Sequence, residues 1–168
     1  MKTLLDTHTW LWWQSAPDRL NDRALALFAD PGETLLFSAA SSWEIAIKFA
    51  LKKLELSESP AVFVPKRLAQ GGFTPLPVEH AHALRVAQLP LHHRDPFDRL
   101  LIAQAQLEGA TVATADPQFL LYDVDVLWAA AGEPPSAVHD RPRRRWGRRK
   151  TAAETHKAKR APRGRNRA

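Results

Sequence analysis

Apolar residues in this chain come in short unbroken runs separated by stretches of helical periodicity, and that alternation sets the architecture. Thr3-Leu4-Leu5 reads as a short buried strand ending at Asp6, and Thr34-Leu35-Leu36-Phe37-Ser38 as a second ending just before a helix. Ser41 or Ser42 is placed to cap a helix over Trp43 to Leu54. There Trp43, Ile45, Ala46, Ile47, Phe49, Ala50 and Leu54 form a broad apolar face with Lys48, Lys52 and Lys53 outside it, and Glu44 falls in the first turn. Ser59-Pro60 opens a helix to about Gln70, Gly71-Gly72 ends it, and Phe73 to Val78 is a short strand weakened by Pro75 and Pro77. Glu79 to Gln88 is helical again. The clearest helix start is Asp95-Pro96-Phe97-Asp98, with Asp95 as N-cap, Pro96 in the first helical position and Asp98 in the third; this helix runs through Leu107 and Gly109 stops it. Thr111-Val112-Ala113-Thr114 is a strand leading to Ala115-Asp116, and Val124 to Trp128 an edge strand. Strands alternating with helices predict an α/β fold, a parallel sheet covered on both faces.

Charge divides the chain. Met1 to Glu133 carries 11 lysines and arginines against 16 aspartates and glutamates, a net of −5. Pro134 to Ala168 carries 13 basic residues against Asp140 and Glu154, a net of +11. With Val138 and Trp146 as its only large apolar residues, this tail is too poor in them to repay its ordering entropy and is expected to be disordered. Two domains of sequence result: residues 1–131, apolar enough for one core, and a basic tail at 132–168. The tail has two readings, an electrostatic arm for phosphates and a solvated extension with no selected role. The absence of cysteine excludes disulfides and thiolate zinc sites. An acid at position 6, where a signal peptide needs apolar residues, and the lack of a membrane-length apolar run point to a cytoplasmic protein without a membrane segment.

Ligands of parallel α/β folds bind where strands end and the next helices begin. Four acids map to that edge: Asp6 after the first strand, Glu44 at the start of one helix, Asp98 at the start of another, and Asp116 past the Thr111–Thr114 strand. Carboxylates gathered without cations repel one another, so such a cluster ordinarily surrounds an ion. Oxygen ligands without cysteine favour Mg²⁺ or Mn²⁺ over zinc, and such ions serve phosphate chemistry. Each acid also has an ordinary reading. Asp95 and Asp98 suit a helix start, Asp116 before Pro117 suits a turn, and Glu44 suits a solvent-facing first turn; Asp6 is the hardest to explain structurally. The histidines do not group: His80 and His82 fall on a presumed surface helix and His92-His93 precede the Arg94 turn, so solvated or capping roles are expected for them rather than metal binding. Trp10, Trp12 and Trp13 read as core or subunit interface.

Leu4-Leu5-Asp6-Thr7-His8, Ser41-Ser42-Trp43-Glu44-Ile45-Ala46-Ile47-Lys48, Arg94-Asp95-Pro96-Phe97-Asp98-Arg99-Leu100-Leu101-Ile102-Ala103-Gln104-Ala105 and Thr114-Ala115-Asp116 occur in that order. Together, over roughly Met1 to Ala130, they resemble a PIN domain of the VapC toxin type. The resemblance implies a PIN-like three-layer α/β/α sandwich with a central parallel sheet of four to five strands. It further implies an endoribonuclease dependent on Mg²⁺ or Mn²⁺, the toxin of a type II toxin–antitoxin pair, forming a homodimer and inhibited by a small antitoxin. Asp6, Glu44, Asp98 and Asp116 would then be the acidic quartet, with Asp6 and Asp98 direct metal ligands and Glu44 and Asp116 acting directly or through water. Thr114 would orient water or a ligand, and Asp95 would be accessory, as the helix cap. The basic tail has no counterpart in that pattern. The alternative of another class is a PIN-like module that has lost catalysis and binds RNA through its tail, which the presence of all four acids opposes. A phosphoacceptor receiver or haloacid-dehalogenase-type phosphatase would want a second acid beside Asp6, where Thr7 stands.

Truncation at Pro134 separates the two readings of the tail. A phosphate-binding arm makes the truncated protein bind RNA more weakly and with a flatter dependence on salt in a filter-binding titration; a solvated extension leaves both unchanged.

Overall fold

Five strands, β1 (Lys2–Leu5), β2 (Thr34–Ser38), β3 (Thr74–Leu76), β4 (Thr111–Thr114) and β5 (Val126–Trp128), form one sheet in the order β3-β2-β1-β4-β5, every pair parallel. They belong to a computed structural model that describes residues 1–135. The expectation of disorder for the basic tail falls, beyond Pro135, outside the described residues.

The helices are α1 (Thr7–Ser15), α2 (Asp22–Phe28), α3 (Ala39–Ala50), α4 (Pro60–Gln70), α5 (His80–Arg85) and α6 (Pro96–Glu108). Alternation along each strand divides the apolar side chains between two cores. Leu5, Leu35, Phe37, Ala113 and Leu127 face a core closed by Trp10, Phe28, Ile45 and Phe63 from α1 to α4. Leu4, Leu36, Leu76 and Val112 face the other, closed by Leu101, Ile102 and Ala105 of α6 with Phe119 and Tyr122. The result is the three-layer α/β/α sandwich with a parallel five-stranded sheet. Pro75 sits in β3, at the sheet edge, where a missing N–H is tolerated.

The tryptophans near the N-terminus serve the first core. Trp10 is fully buried against Phe37, ring centroids 4.4 Å apart. Trp13 packs on Phe28 and Phe73, and the Arg19 guanidinium lies 4.0 Å over the Trp12 ring.

Two local expectations are corrected. α3 begins at Ala39 because Ser38, the last residue of β2, is its N-cap: the Ser38 hydroxyl accepts the Ala40 N–H at 2.9 Å. Strand and helix therefore join without a loop, Ser41 and Ser42 lie inside the helix, and Glu44 falls in its second turn. His82 is buried and not on the surface; its Nδ1 accepts the Glu79 N–H at 3.1 Å at the start of α5.

A buried polar link fixes the two helices that border the strand ends. The Ser38 hydroxyl donates to Gln104 Oε1 at 2.6 Å, and Gln104 Nε2 donates to Pro77 O at 3.0 Å, joining α6 to the ends of β2 and β3. Ser38→Ala removes both the cap of α3 and the donor to Gln104, and lowers stability by about 1–3 kcal/mol in urea unfolding.

Candidate functional site

The chain runs outward from β1 through β2 to β3 and then returns to place β4 on the other side of β1. Parallel sheets open a crevice at such a reversal, beyond the carboxyl ends of the two strands concerned. Here those ends are Leu5, followed by Asp6, and Thr114, followed by Asp116 after one residue.

A hydroxyl spans that crevice. Thr114 Oγ1 donates to Asp6 Oδ2 at 2.7 Å and accepts the Asp116 N–H at 3.0 Å. Asp6 is almost wholly buried; its Oδ1 accepts the His8 N–H at 3.3 Å, which makes it the N-cap of α1 as well. Burial pushes its carboxyl above the ordinary 3.8, against the opposing effects of the Thr114 bond and of His8.

Asp116 caps the short 3-10 turn at Pro117–Leu121, its Oδ1 accepting the Gln118 N–H at 2.7 Å, while its Oδ2 faces the ring of His93. Asp95 caps α6 by accepting the Phe97 N–H at 2.8 Å. Two residues into the helix, Asp98 turns its Oδ2 toward the same imidazole. Glu44 comes from α3, 3% exposed, with Oε1 ion-paired to Lys48 one turn along and Oε2 buried without a hydrogen-bond partner. His8 is exposed, its Nε2 3.5 Å from Lys48 Nζ.

The geometry does not gather the four acids equally. Within hydrogen-bonding range of one another's surroundings, the tight group is Asp98, Asp116 and His93, whose ligand atoms all lie within 4.8 Å. Asp6 joins it through Thr114. Glu44 is connected by its field: burial first, and then the charges of Asp6, Asp95, Glu44 and Asp116, push the Asp98 carboxyl up from 3.8 to about 8.

His93 was missed by sequence reasoning, which assigned it a solvated or capping role. It does cap, since its Nδ1 accepts the Asp95 N–H at 3.0 Å, but it is buried and touches two of the acids. A histidine two residues before the Asp95 cap was the available signal.

Three features fit a divalent cation: an orphaned buried carboxylate oxygen on Glu44, a carboxyl on Asp98 pushed up by burial and by its acidic neighbours, and carboxylate oxygens of Asp98 and Asp116 close together. Among the described residues, Lys48 is the lysine that pairs with an acid of the quartet, and that acid is Glu44.

A family model described as the PIN domain matches residues 3–125. The chain belongs to the PIN domain family. A relative named Ribonuclease VapC16, from Mycobacterium tuberculosis strain ATCC 25618 / H37Rv, is 45% identical over 67 residues, covering 40% of this chain and 47% of that protein. The chain thus spans about half the length of that relative. Among solved structures the fold is similar to VapBC2 from Rickettsia felis, bound to a DNA fragment from its promoter, with a TM-score of 0.60 and 15% identity over 77% of this chain and 99% of that one. It is also similar to a toxin-antitoxin complex from Klebsiella pneumoniae, with a TM-score of 0.51 and 18% identity over 75% of this chain and 96% of that one. At these identities the likeness carries the PIN-like fold.

The Asp98 shift sets a pH dependence for the PIN domain in EDTA. Its folded carboxyl holds a proton up to about pH 8, whereas the unfolded chain releases it near 3.8. The contribution to stability is therefore fully present below the unfolded value and is lost as pH rises through 8. Thermal melts in EDTA show wild-type stability declining across that window, and Asp98→Asn, which cannot ionise, more stable than wild type at pH 8.

Proposed function

We propose that this chain is a metal-dependent endoribonuclease that hydrolyses RNA phosphodiester bonds, the toxin of a type II toxin–antitoxin pair. The observation that supports this reading is the cluster of Asp98 and Asp116 at the switch point of a PIN fold, with Asp6 tied to it through Thr114 and the charge of Glu44 acting on Asp98. The partial match to a protein named as a ribonuclease, and fold neighbours described as toxin-antitoxin complexes, support it.

Asp6 and Asp98 would hold Mg²⁺ or Mn²⁺ directly, with Glu44 and Asp116 completing the site directly or through water. Bound there, the ion supplies the Lewis acidity that lowers the pKa of water and offsets charge on the phosphate and its leaving oxygen. The residues of the chain provide the frame. Thr114 orients Asp6 by donating to Oδ2 and ties it to the backbone carrying Asp116. Asp95 fixes the first turn of α6, and with it the place of Asp98. Lys48, beside Glu44, offers positive charge at the margin for a phosphate of the substrate.

The partners in this reading are RNA, a small antitoxin that occupies the acidic groove, and a second copy of the chain in a homodimer. Among the described residues no helix is long and apolar enough to cross a membrane, and with cysteine absent a cytoplasmic setting fits.

Incubating a mixed RNA pool with purified protein, with Mg²⁺ or Mn²⁺ against EDTA, tests the reading. Cleavage appears only with metal and falls at least about a hundredfold in Asp98→Asn. No cleavage by folded protein free of antitoxin would overturn the nuclease in favour of an RNA-binding module.

A further inference from the structure

His93 allows two opposite roles. Its Nε2 lies 3.0 Å from Asp116 Oδ2 and 3.1 Å from Asp98 Oδ2. Those separations suit three ligands around one ion, and equally a ring N–H shared between two carboxylates.

The other ring nitrogen decides between them. The Asp95 N–H points at His93 Nδ1 from 3.0 Å, and an amide nitrogen has only its proton to give. Nδ1 therefore presents a lone pair. A ring with one bare nitrogen carries its single proton on the other, so Nε2 is an N–H and has no lone pair for a metal. An imidazole that binds a metal ordinarily shows the reverse arrangement, with its remote nitrogen donating to a carboxylate or carbonyl.

We propose that His93 is a positioning residue, a neutral imidazole whose Nε2–H is shared between Asp98 and Asp116 and sets the two carboxylates for the ion without binding it. The assignment of the ring proton stands on hydrogen bonding alone; the ion rests on the proposed nuclease function. Asp116 gains most. Its Oδ1 already accepts the Gln118 N–H, so the second donor fixes the plane of the whole carboxylate and leaves one lone pair on each oxygen. A neutral donor also draws the two acids together without adding a cation that would compete with the metal.

The surrounding chain holds the ring in place. The His93 N–H donates to Tyr122 Oη at 2.7 Å. Arg99, buried in α6, donates to Pro90 O at 2.7 Å, Val86 O at 3.0 Å and Leu89 O at 3.2 Å, tying down the segment that leads to His93. Phe119 lies edge-on to the imidazole, ring centroids 6.1 Å apart.

Long-range proton–nitrogen NMR correlations of the histidine rings in the full chain, recorded in EDTA and then with saturating Mg²⁺, test the proposal directly. The expected result is a proton on Nε2 and a bare Nδ1 in both states; a bare Nε2 in the Mg²⁺ spectrum overturns it. Calorimetric titration with Mn²⁺ gives a second readout. His93→Ala weakens Mn²⁺ binding by about ten- to a hundredfold, and His93→Gln, which restores a side-chain N–H, recovers most of the loss. A glutamine variant no better than alanine overturns the donor role. Neither readout involves RNA, so a protein that keeps the Nε2 proton and binds Mn²⁺ but cleaves nothing removes the nuclease reading and leaves this one standing.

Discussion

Mutual repulsion among buried carboxylates is the constraint that the rest of this site answers to. Asp6 and Glu44 are each 3% exposed, and Asp98 is pushed up by burial first and then by the acids around it. A group so placed either takes up protons or must be held by donors until a cation arrives. Asp98 takes the first course, its carboxyl pushed up to about 8, while donors hold its neighbours: the Thr114 hydroxyl and the His8 amide on Asp6, the Gln118 amide and the His93 ring on Asp116. Among the described residues, only Glu44 of these acids pairs with a lysine, and that contact leaves its second oxygen unpartnered. Neutral donors set direction without supplying the opposite charge, so the electrostatic demand for a cation survives folding. That distinguishes the cluster from a structural ion-pair network, where arginines would satisfy the acids.

The sheet topology decides which acids can meet. Since β1 lies between β2 and β4, residues following β1 and β4 face one crevice although more than a hundred positions separate them in sequence. Ser38 and Gln104 then set the two helices that carry the remaining acids. Ser38 starts α3 directly from the end of β2, and Gln104 ties α6 to that serine and to the end of β3. Glu44 and Asp98 are thus fixed by the same buried pair.

The sequence made Asp6, Asp98 and Asp116 legible because each follows a strong local signal: a buried strand, an Asp-Pro helix start, a Thr-rich strand. The parallel α/β pattern was equally clear, since buried central strands read as continuous apolar runs. The start of α3 was harder, because three serines at 38, 41 and 42 offer the same capping chemistry and only the sheet shows which stands at the junction. His93 and His82 were given solvated or capping roles; both do cap, but their burial was not legible for a similar reason. His93 is buried beside Tyr122 and Phe119, and His82 beside Glu108 of α6, and those contacts are long-range. Asp116 shows that an ordinary and a chemical role need not exclude each other: one oxygen caps a turn while the other faces the site.

On the proposed function, the charge of the body raises a question that the site itself answers. Residues 1–133 carry a net −5, and the quartet is part of that excess, so a polyanion approaching the crevice meets repulsion from the groups meant to act on it. A divalent ion bound among the carboxylates cancels two of those charges where the phosphate must sit, and in a buried setting that local change outweighs distant charges screened over a Debye length of about 8–10 Å. Lys48 at the margin acts over the same short range. The ion would therefore govern substrate binding as well as chemistry. Its removal should weaken RNA binding at the crevice, while any contribution from the +11 tail at residues 134–168 would persist.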